Sequence, residues 1–338
     1  MGDNHAKLKR GKVGVLLISL GTPDAPTYGA VRRYLAEFLS DKRVIEVNRL
    51  IWLPILYGFI LTLRPLRAAR AYTKIWDQIH DESPLRGFSR RQAEKLKSLV
   101  GDLAEVSWAF RYGNPSISQG LAELQQKGCD RILLFAMYPQ YSATSTGTAY
   151  DKAFQALAEM RWQPAARTVP AYYDDPNFIA ELTVGIRTSL GTLDWQPDLL
   201  LASYHSIPES YYLAGDPYPD QCRATSQLII DALSSEIELR TSFQSRVGVS
   251  KWVGPYTDDA VRQLAADGVK KLAVFAPAFS SDCLETLEEI DIELRNIFLE
   301  AGGTHFHYIP CLNDSVGGMR LLEHITRSEL SNWLETAD

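Results

Sequence analysis

The chain has 338 residues, 46% of them hydrophobic, with 35 Lys plus Arg against 41 Asp plus Glu and a net charge of −6. That length suits two ordinary domains with real cores, and the composition excludes a disordered chain. The mildly acidic balance gives no reason to expect nucleic acid as a partner.

The first residues, MGDNHAKLKRGK, lack an apolar core and a small-residue cleavage site, so they do not read as a signal peptide. KVGVLLISL follows, a continuous apolar run of strand length. Leu50 to Leu63, LIWLPILYGFILTL, is the greasiest stretch; its fourteen residues are too few to span a bilayer, and Pro54 and Gly58 are expected to interrupt it. Two readings stand: a buried core helix, or an exposed apolar lip on a pocket or membrane surface. Arg64, Arg67, Arg70 and Lys74 come next and suit an interfacial segment. Further apolar runs follow at DRILLFAMY, DLLLASY and KKLAVFAPA. Such runs, separated by helix-period segments, predict strands buried on both faces of parallel sheets in an α/β fold. Cys129, Cys222, Cys283 and Cys311 are scattered, with no C-x-x-C pair, which suits reduced thiols in the cytoplasm rather than a disulfide or zinc framework.

The chain repeats itself. YGNPSISQGLAELQQKGCDRILLFA from Tyr112 resembles WVGPYTDDAVRQLAADGVKKLAVFA from Trp252. Pro115 falls on Pro255, Gly128 on Gly268 and Phe135 on Phe275, an offset of 140 residues. A weaker match of LLISLGTPD to LLASYHSIPES sets Leu20 opposite Tyr204, an offset of 184. The first half therefore carries extra chain, and the apolar lip lies within it. Two similar Rossmann-like domains with a cleft between them are expected: 11–172, with the lip at about 50–74, and 173–338, with a C-terminal helix packing back on the first. Ligands of open parallel sheets sit beyond the carboxyl ends of the strands. Those ends are Leu20 to Pro23, Tyr138 to Thr148, His205 to Pro208 and Phe279 to Glu285. No G-x-G-x-x-G follows the first strand and no P-loop occurs, so nucleotide binding has no motif support.

Of six histidines, His205 alone directly ends a clear buried strand. It reads as either structural or catalytic, since imidazole titrates near ~6.5 and serves both roles. His305 and His307 alternate as strand residues do, without an evident third ligand. The segment after KKLAVFAPA is acidic. Asp282-x-x-Glu285 has capping-box spacing, with Asp282 as N-cap. At about 100° per residue, Asp282, Glu285, Glu289 and Glu293 form one stripe away from Leu284, Leu287 and Ile290. That stripe is either a solvated face or a line carrying cations inward and protons outward; Glu288 and Asp291 lie off it and read as ordinary wet residues. Trp108, Phe110, Tyr112, Tyr138, Tyr141, Tyr204, Trp252, Tyr256 and Phe279 crowd the strand ends, which suggests a large flat apolar ligand. Arg111 reads either as a partner for a ligand carboxylate or as one side of an internal salt bridge.

From about Lys12 to Trp333 the sequence resembles the ferrochelatases, on LGTPD, SPL, FRYGNP, YPQYSATSTG, SYHSIP, GDPYP, QSRVG, WVGPYTD and FSSDCLETLEEIDIE. The resemblance implies two Rossmann-like domains, each with a parallel four-stranded sheet, around a porphyrin cleft. It implies a lyase that inserts Fe²⁺, as substrate, into protoporphyrin IX to form haem. It makes His205 and Glu285 the catalytic and iron-binding pair, with Asp282, Glu289 and Glu293 as proton and metal conduit. Leu20, Arg111, Tyr112, Tyr138, Trp252 and Phe279 fall on pocket-lining positions, and Ser83 on one near a porphyrin propionate. The lip corresponds to one implicated in porphyrin entry and membrane contact. Cys283 stands where animal members have histidine. Ala143 stands where they have the internal ligand of an iron–sulfur cluster, so neither a cluster nor another prosthetic group is expected. The resemblance carries the expectation of a cytoplasmic monomer touching a membrane at most peripherally. Coproporphyrin as substrate, cobalt insertion into a sirohydrochlorin-like ring, and a porphyrin or haem carrier without turnover stay as alternatives.

Overall fold

The computed structural model describes residues 11–333 apart from 235, 236, 247 and 249. The N-terminal MGDNHAKLKR and the last five residues of the expected second domain lie outside the described residues. Eight strands form among the described residues: β1 Lys12–Gly21, β2 Glu105–Tyr112, β3 Cys129–Ala136, β4 Ala165–Thr168, β5 Leu199–His205, β6 Leu239–Gln244, β7 Lys271–Phe275 and β8 His305–Tyr308, with the four apolar runs falling on β1, β3, β5 and β7. They make two four-stranded sheets, ordered β2-β1-β3-β4 and β6-β5-β7-β8. Every pairing is parallel, so each connection is a crossover, and helices cover both faces.

The two sheets have one topology, as the repeat requires, but the ladder corrects its register. Leu17 pairs with Trp108 and Phe135, while Ala202 pairs with Thr241 and Phe275. Since Phe135 and Phe275 are counterparts, Leu17 matches Ala202, an offset of 185 rather than 184. The position equivalent to Leu20 is therefore His205, not Tyr204. A one-residue slip turns every side chain to the other face. The faces agree only with the corrected register: Leu17 and Ala202 both enter the large central core, whereas Leu16 and Leu201 enter the two separate outer cores. A second correction concerns Trp252. The N–H of Phe110 bonds the carbonyl of Pro115 at 2.7 Å, and that of Phe243 bonds Pro255 at 2.8 Å. The second half thus has the longer loop here, so the counterpart of Tyr112 is Ser245. Trp252 sits within that loop, bridged to Pro208.

The central core joins the inner faces of both sheets through helices Pro84–Val100, Pro176–Leu190, Tyr218–Leu233 and Val316–Leu330. The helix Val316–Leu330 reaches back to the first half: Arg327 Nη2 donates to the Leu99 carbonyl at 2.9 Å. Just before it, Asp314 pairs with Arg91 at 3.0 Å.

The apolar insertion is one continuous helical stretch from Arg49 to Ile75, so Pro54 and Gly58 do not interrupt it. A π turn at Leu56–Ile60 lies between Pro54 and Pro65 and changes the hydrogen-bond register where the prolines lack donors. By length and composition this stretch is enough to cross a bilayer, but it is no core helix, with only 17% of its apolar window buried. Leu56 and Leu61 anchor it against Leu39, while Leu50, Phe59 and Leu63 stand 87%, 70% and 74% exposed.

Candidate active site

Leu20, one residue before the end of β1, and His205, at the end of β5, hold equivalent positions. After Leu20 the backbone turns at Gly21 with φ +118°, and a Cβ there would meet the Tyr112 carbonyl oxygen at 1.8 Å, so only glycine fits. The Gly21 carbonyl accepts from the Tyr34 hydroxyl at 3.2 Å. At the equivalent end of β5, His205 is half-buried, and its Nδ1 lies 2.6 Å from the Ser206 carbonyl. A carbonyl only accepts, so Nδ1 carries a proton, and the lone pair of the ring, in its neutral form, is on Nε2. The turn is held in place by the Ser206 hydroxyl, which donates to the Val253 carbonyl at 2.7 Å.

The acidic segment after β7 is three pieces: Leu284–Leu287, a π segment Glu289–Leu294, and Arg295–Glu300. The π geometry shows in the N–H of Glu293, which reaches back five residues to the Glu288 carbonyl at 2.8 Å. Two expectations for this segment are overturned. Asp282 is not the helix cap; Cys283 holds that position. Asp282 is buried instead, accepting from Tyr308 at 2.5 Å, Asn313 Nδ2 at 2.6 Å and Thr286 at 3.0 Å. Its oxygens are occupied by structural partners, which argues against a place in an open conduit. Glu288 is not a wet residue either; it is buried and bound by Lys74 Nζ at 2.6 Å. Asp291 pairs with Arg295.

Glu285 and Glu289 are half-buried, and Glu293 is 47% exposed, 4.0 Å from Arg67. Exposure is greatest at Glu293, the last of the three. Burial pushes the phenols of Tyr34, Tyr72 and Tyr138 well up, and the charge of Glu285 adds to each. Burial, reinforced by the charge of Glu285, raises Glu289 to about 8, against the pull of a hydrogen bond from the Ser245 hydroxyl. Leu284 packs beside Val31, Ala69, Tyr72 and Trp76, so the lip helix and the acidic segment meet. Cys283 is buried, and burial first of all holds its thiol neutral.

The remaining expected lining residues divide. Leu20, Tyr138, Trp252 and Phe279 are half-buried at strand ends or in the loop after β6. The Tyr138 hydroxyl is buried without a partner among the described residues, which leaves a donor for a ligand. Three others are engaged inside the protein. Ser83 is 1% exposed and caps helix Pro84–Val100, its hydroxyl accepting from the Arg86 N–H at 3.3 Å. Arg111 bonds Asp41 and the Thr148 carbonyl, so its internal salt bridge is what forms. Tyr112 is fully buried and donates to Asp41 at 2.9 Å. Sequence reasoning missed Tyr34 and Tyr72. Each lies on the apolar stripe of an amphipathic helix, where a tyrosine reads as core; the polar tip it must satisfy was the available signal.

The family model for ferrochelatase matches residues 12–330. Among relatives named ferrochelatase, that of Allorhizobium ampelinum is 54% identical over 335 residues, covering 98% of this chain and 97% of the relative. That of Chelativorans sp. is 53% identical over 334 residues, covering 98% and 95%. Among solved structures, SirB from Bacillus subtilis with Fe³⁺ matches with a TM-score of 0.57 at 10% identity, over 95% of this chain and 97% of that one, a likeness of fold alone. With a family match across nearly the whole described chain and relatives above half identity, the chain belongs to the ferrochelatase family.

Proposed function

We propose that this chain inserts Fe²⁺ into protoporphyrin IX to give protohaem with release of two protons, the last step of haem biosynthesis. One observation carries the reading: His205 Nδ1 is bonded to a carbonyl, which leaves Nε2 for a pyrrole proton, and the half-buried Glu285 and Glu289 precede the exposed Glu293 on one segment. A free-base porphyrin must lose both inner N–H protons as metal enters. Neutral imidazole Nε2 is a fitting acceptor. Glu285 and His205 offer one oxygen and one nitrogen donor to Fe²⁺, a set loose enough to release the ion to the ring. Glu289, raised to about 8, takes up a proton near neutrality and stands between Glu285 and the exposed Glu293. Tyr138, with its unpaired hydroxyl, and the half-buried Leu20, Trp252 and Phe279 suit the wall of a site for a flat apolar ring, and a rigid wall favours a bent macrocycle with exposed lone pairs.

The exposed Leu50, Phe59 and Leu63 support a dicarboxylate porphyrin over the more polar coproporphyrin, and peripheral contact with a membrane from the cytoplasmic side. The protein is expected to act as a monomer without a resident cofactor; iron or sulfide at cluster stoichiometry in pure protein refutes the latter. The test mixes protein, protoporphyrin IX and Fe²⁺ or Zn²⁺ and follows the porphyrin absorption bands. Tight porphyrin binding without a band shift favours a carrier. A higher kcat/KM for coproporphyrin moves the substrate to that ring.

A further inference from the structure

β6 ends on Gln244, followed by Ser245, in the QSRVG stretch that the proposed chemistry leaves without a role. Both side chains reach the acidic segment. Gln244 Nε2 donates to the Glu285 carbonyl at 2.8 Å, and the Ser245 hydroxyl donates to Glu289 Oε2. Gln244 is itself fixed. It lies opposite His205 in the β5–β6 ladder, and Ser203 Oγ donates to its Oε1 at 2.6 Å. Ser203 is also hydrogen-bonded with Thr257 Oγ1 at 2.9 Å, which is bonded in turn to Ser242 Oγ at 2.9 Å. All four of these side chains are buried, so each bond is strong and its loss leaves an unpaired group.

Two observations point past simple packing. Ser245 has φ +68°, in the left-handed region that serine enters at a cost and glycine does not. A serine kept there gives up conformational energy to place a hydroxyl on Glu289. The corrected register also makes Arg111 the counterpart of Gln244. Arg111 Nε donates to the Thr148 carbonyl at 3.1 Å, just past the π turn Ala143–Gly147. Both halves therefore pin the segment after their third strand from the end of their second, and in the second half that segment carries the carboxylates.

We infer that Gln244 and Ser245 are positioning residues that fix Glu285 and Glu289 relative to His205, and so govern metal handling rather than porphyrin binding. The inference rests on the metallation reading above. The experiment measures Zn²⁺ insertion into protoporphyrin by wild type, Q244M and S245G, with porphyrin affinity by fluorescence and melting temperature for each. Both variants are expected to lose about tenfold or more in kcat/KM for the metal, as misplaced reacting groups do, with porphyrin affinity unchanged within twofold. S245G is expected to melt no lower than wild type, because glycine relieves the positive φ; lost activity in an equally stable protein separates positioning from folding. Wild-type metal constants in S245G, or porphyrin affinity falling in step with metal turnover, overturns the inference while leaving metallation standing. Wild type that inserts no metal overturns metallation and this inference with it.

Discussion

Glu289→Gln isolates the electrostatic cost of the carboxylate series. In the native protein Glu289 is raised to about 8 from 4.5, burial first and then the charge of Glu285. The native state thus holds this proton more tightly than the unfolded chain. The associated stability is fully present below about 4.5 and is lost as pH rises through about 8. Every tenfold gain in proton affinity on folding corresponds to about 1.4 kcal/mol, and screening at a half-buried side chain reduces the sum to roughly 3 kcal/mol between the limits. Glutamine retains an oxygen to accept from Ser245 and never ionises. Wild type and variant should have similar stability at pH 5, and the variant should be the more stable by roughly 3 kcal/mol at pH 9. Urea unfolding at pH 5, 7 and 9 measures the difference, in which titrating groups not coupled to Glu289 cancel. A difference that does not change with pH refutes a raised Glu289.

His205→Ala should lower metal insertion by at least about 100-fold while porphyrin affinity holds, because it removes the acceptor Nε2 together with the Nδ1 bond to the Ser206 carbonyl that orients it; full activity sinks the proton-acceptor role. Asp282→Ala should cost about 3 kcal/mol in urea unfolding, since Tyr308, Thr286 and Asn313 lose their acceptor together inside the protein; a loss within about 0.5 kcal/mol, typical of a surface site, refutes the hub. Phe59→Asp with Leu63→Asp should weaken binding to anionic vesicles by about 100-fold, from roughly 3 kcal/mol of apolar burial forgone, while insertion into detergent-solubilised porphyrin persists. Equal vesicle binding by wild type and the double variant removes the lip from membrane contact.

The strands were legible because parallel strands buried on both faces write themselves as unbroken apolar runs. The topology was legible because the repeat carried prolines, glycines and strand ends together. The register slipped by one because LLIS and LLAS match best by identity, and identity is blind to which face a side chain occupies. Partners far along the chain were invisible. Lys74 lies 214 residues before Glu288, and Asp41 lies 70 residues before Arg111, so a buried ion pair reads as a wet carboxylate and the partner of the arginine stays undecided between a ligand and an internal acid. Asp282 fitted a local capping pattern, but the pattern spans four residues and its true partners Tyr308 and Asn313 lie beyond them. Helical periodicity assumed one pitch throughout, which the π turns at Leu56–Ile60 and Glu289–Leu294 break.

The corrected register changes what the duplication says about chemistry. Leu20 and His205 hold one ladder position in two copies of a sheet, and Arg111 and Gln244 hold another. In the first half the position is apolar and the pinned segment ends in Thr148; in the second it is imidazole and the pinned segment carries Glu285 and Glu289. The first half instead has the apolar helix Arg49–Ile75 and the Tyr138 hydroxyl without a partner among the described residues. On the proposed function, two copies of one scaffold would divide their tasks, a wall for a flat ligand on one side and titratable groups on the other. Because Glu285 and Glu289 are held from β6 while Lys74 of the first half holds Glu288, substitutions at Gln244 and Ser245 should alter metal turnover before they alter ring binding.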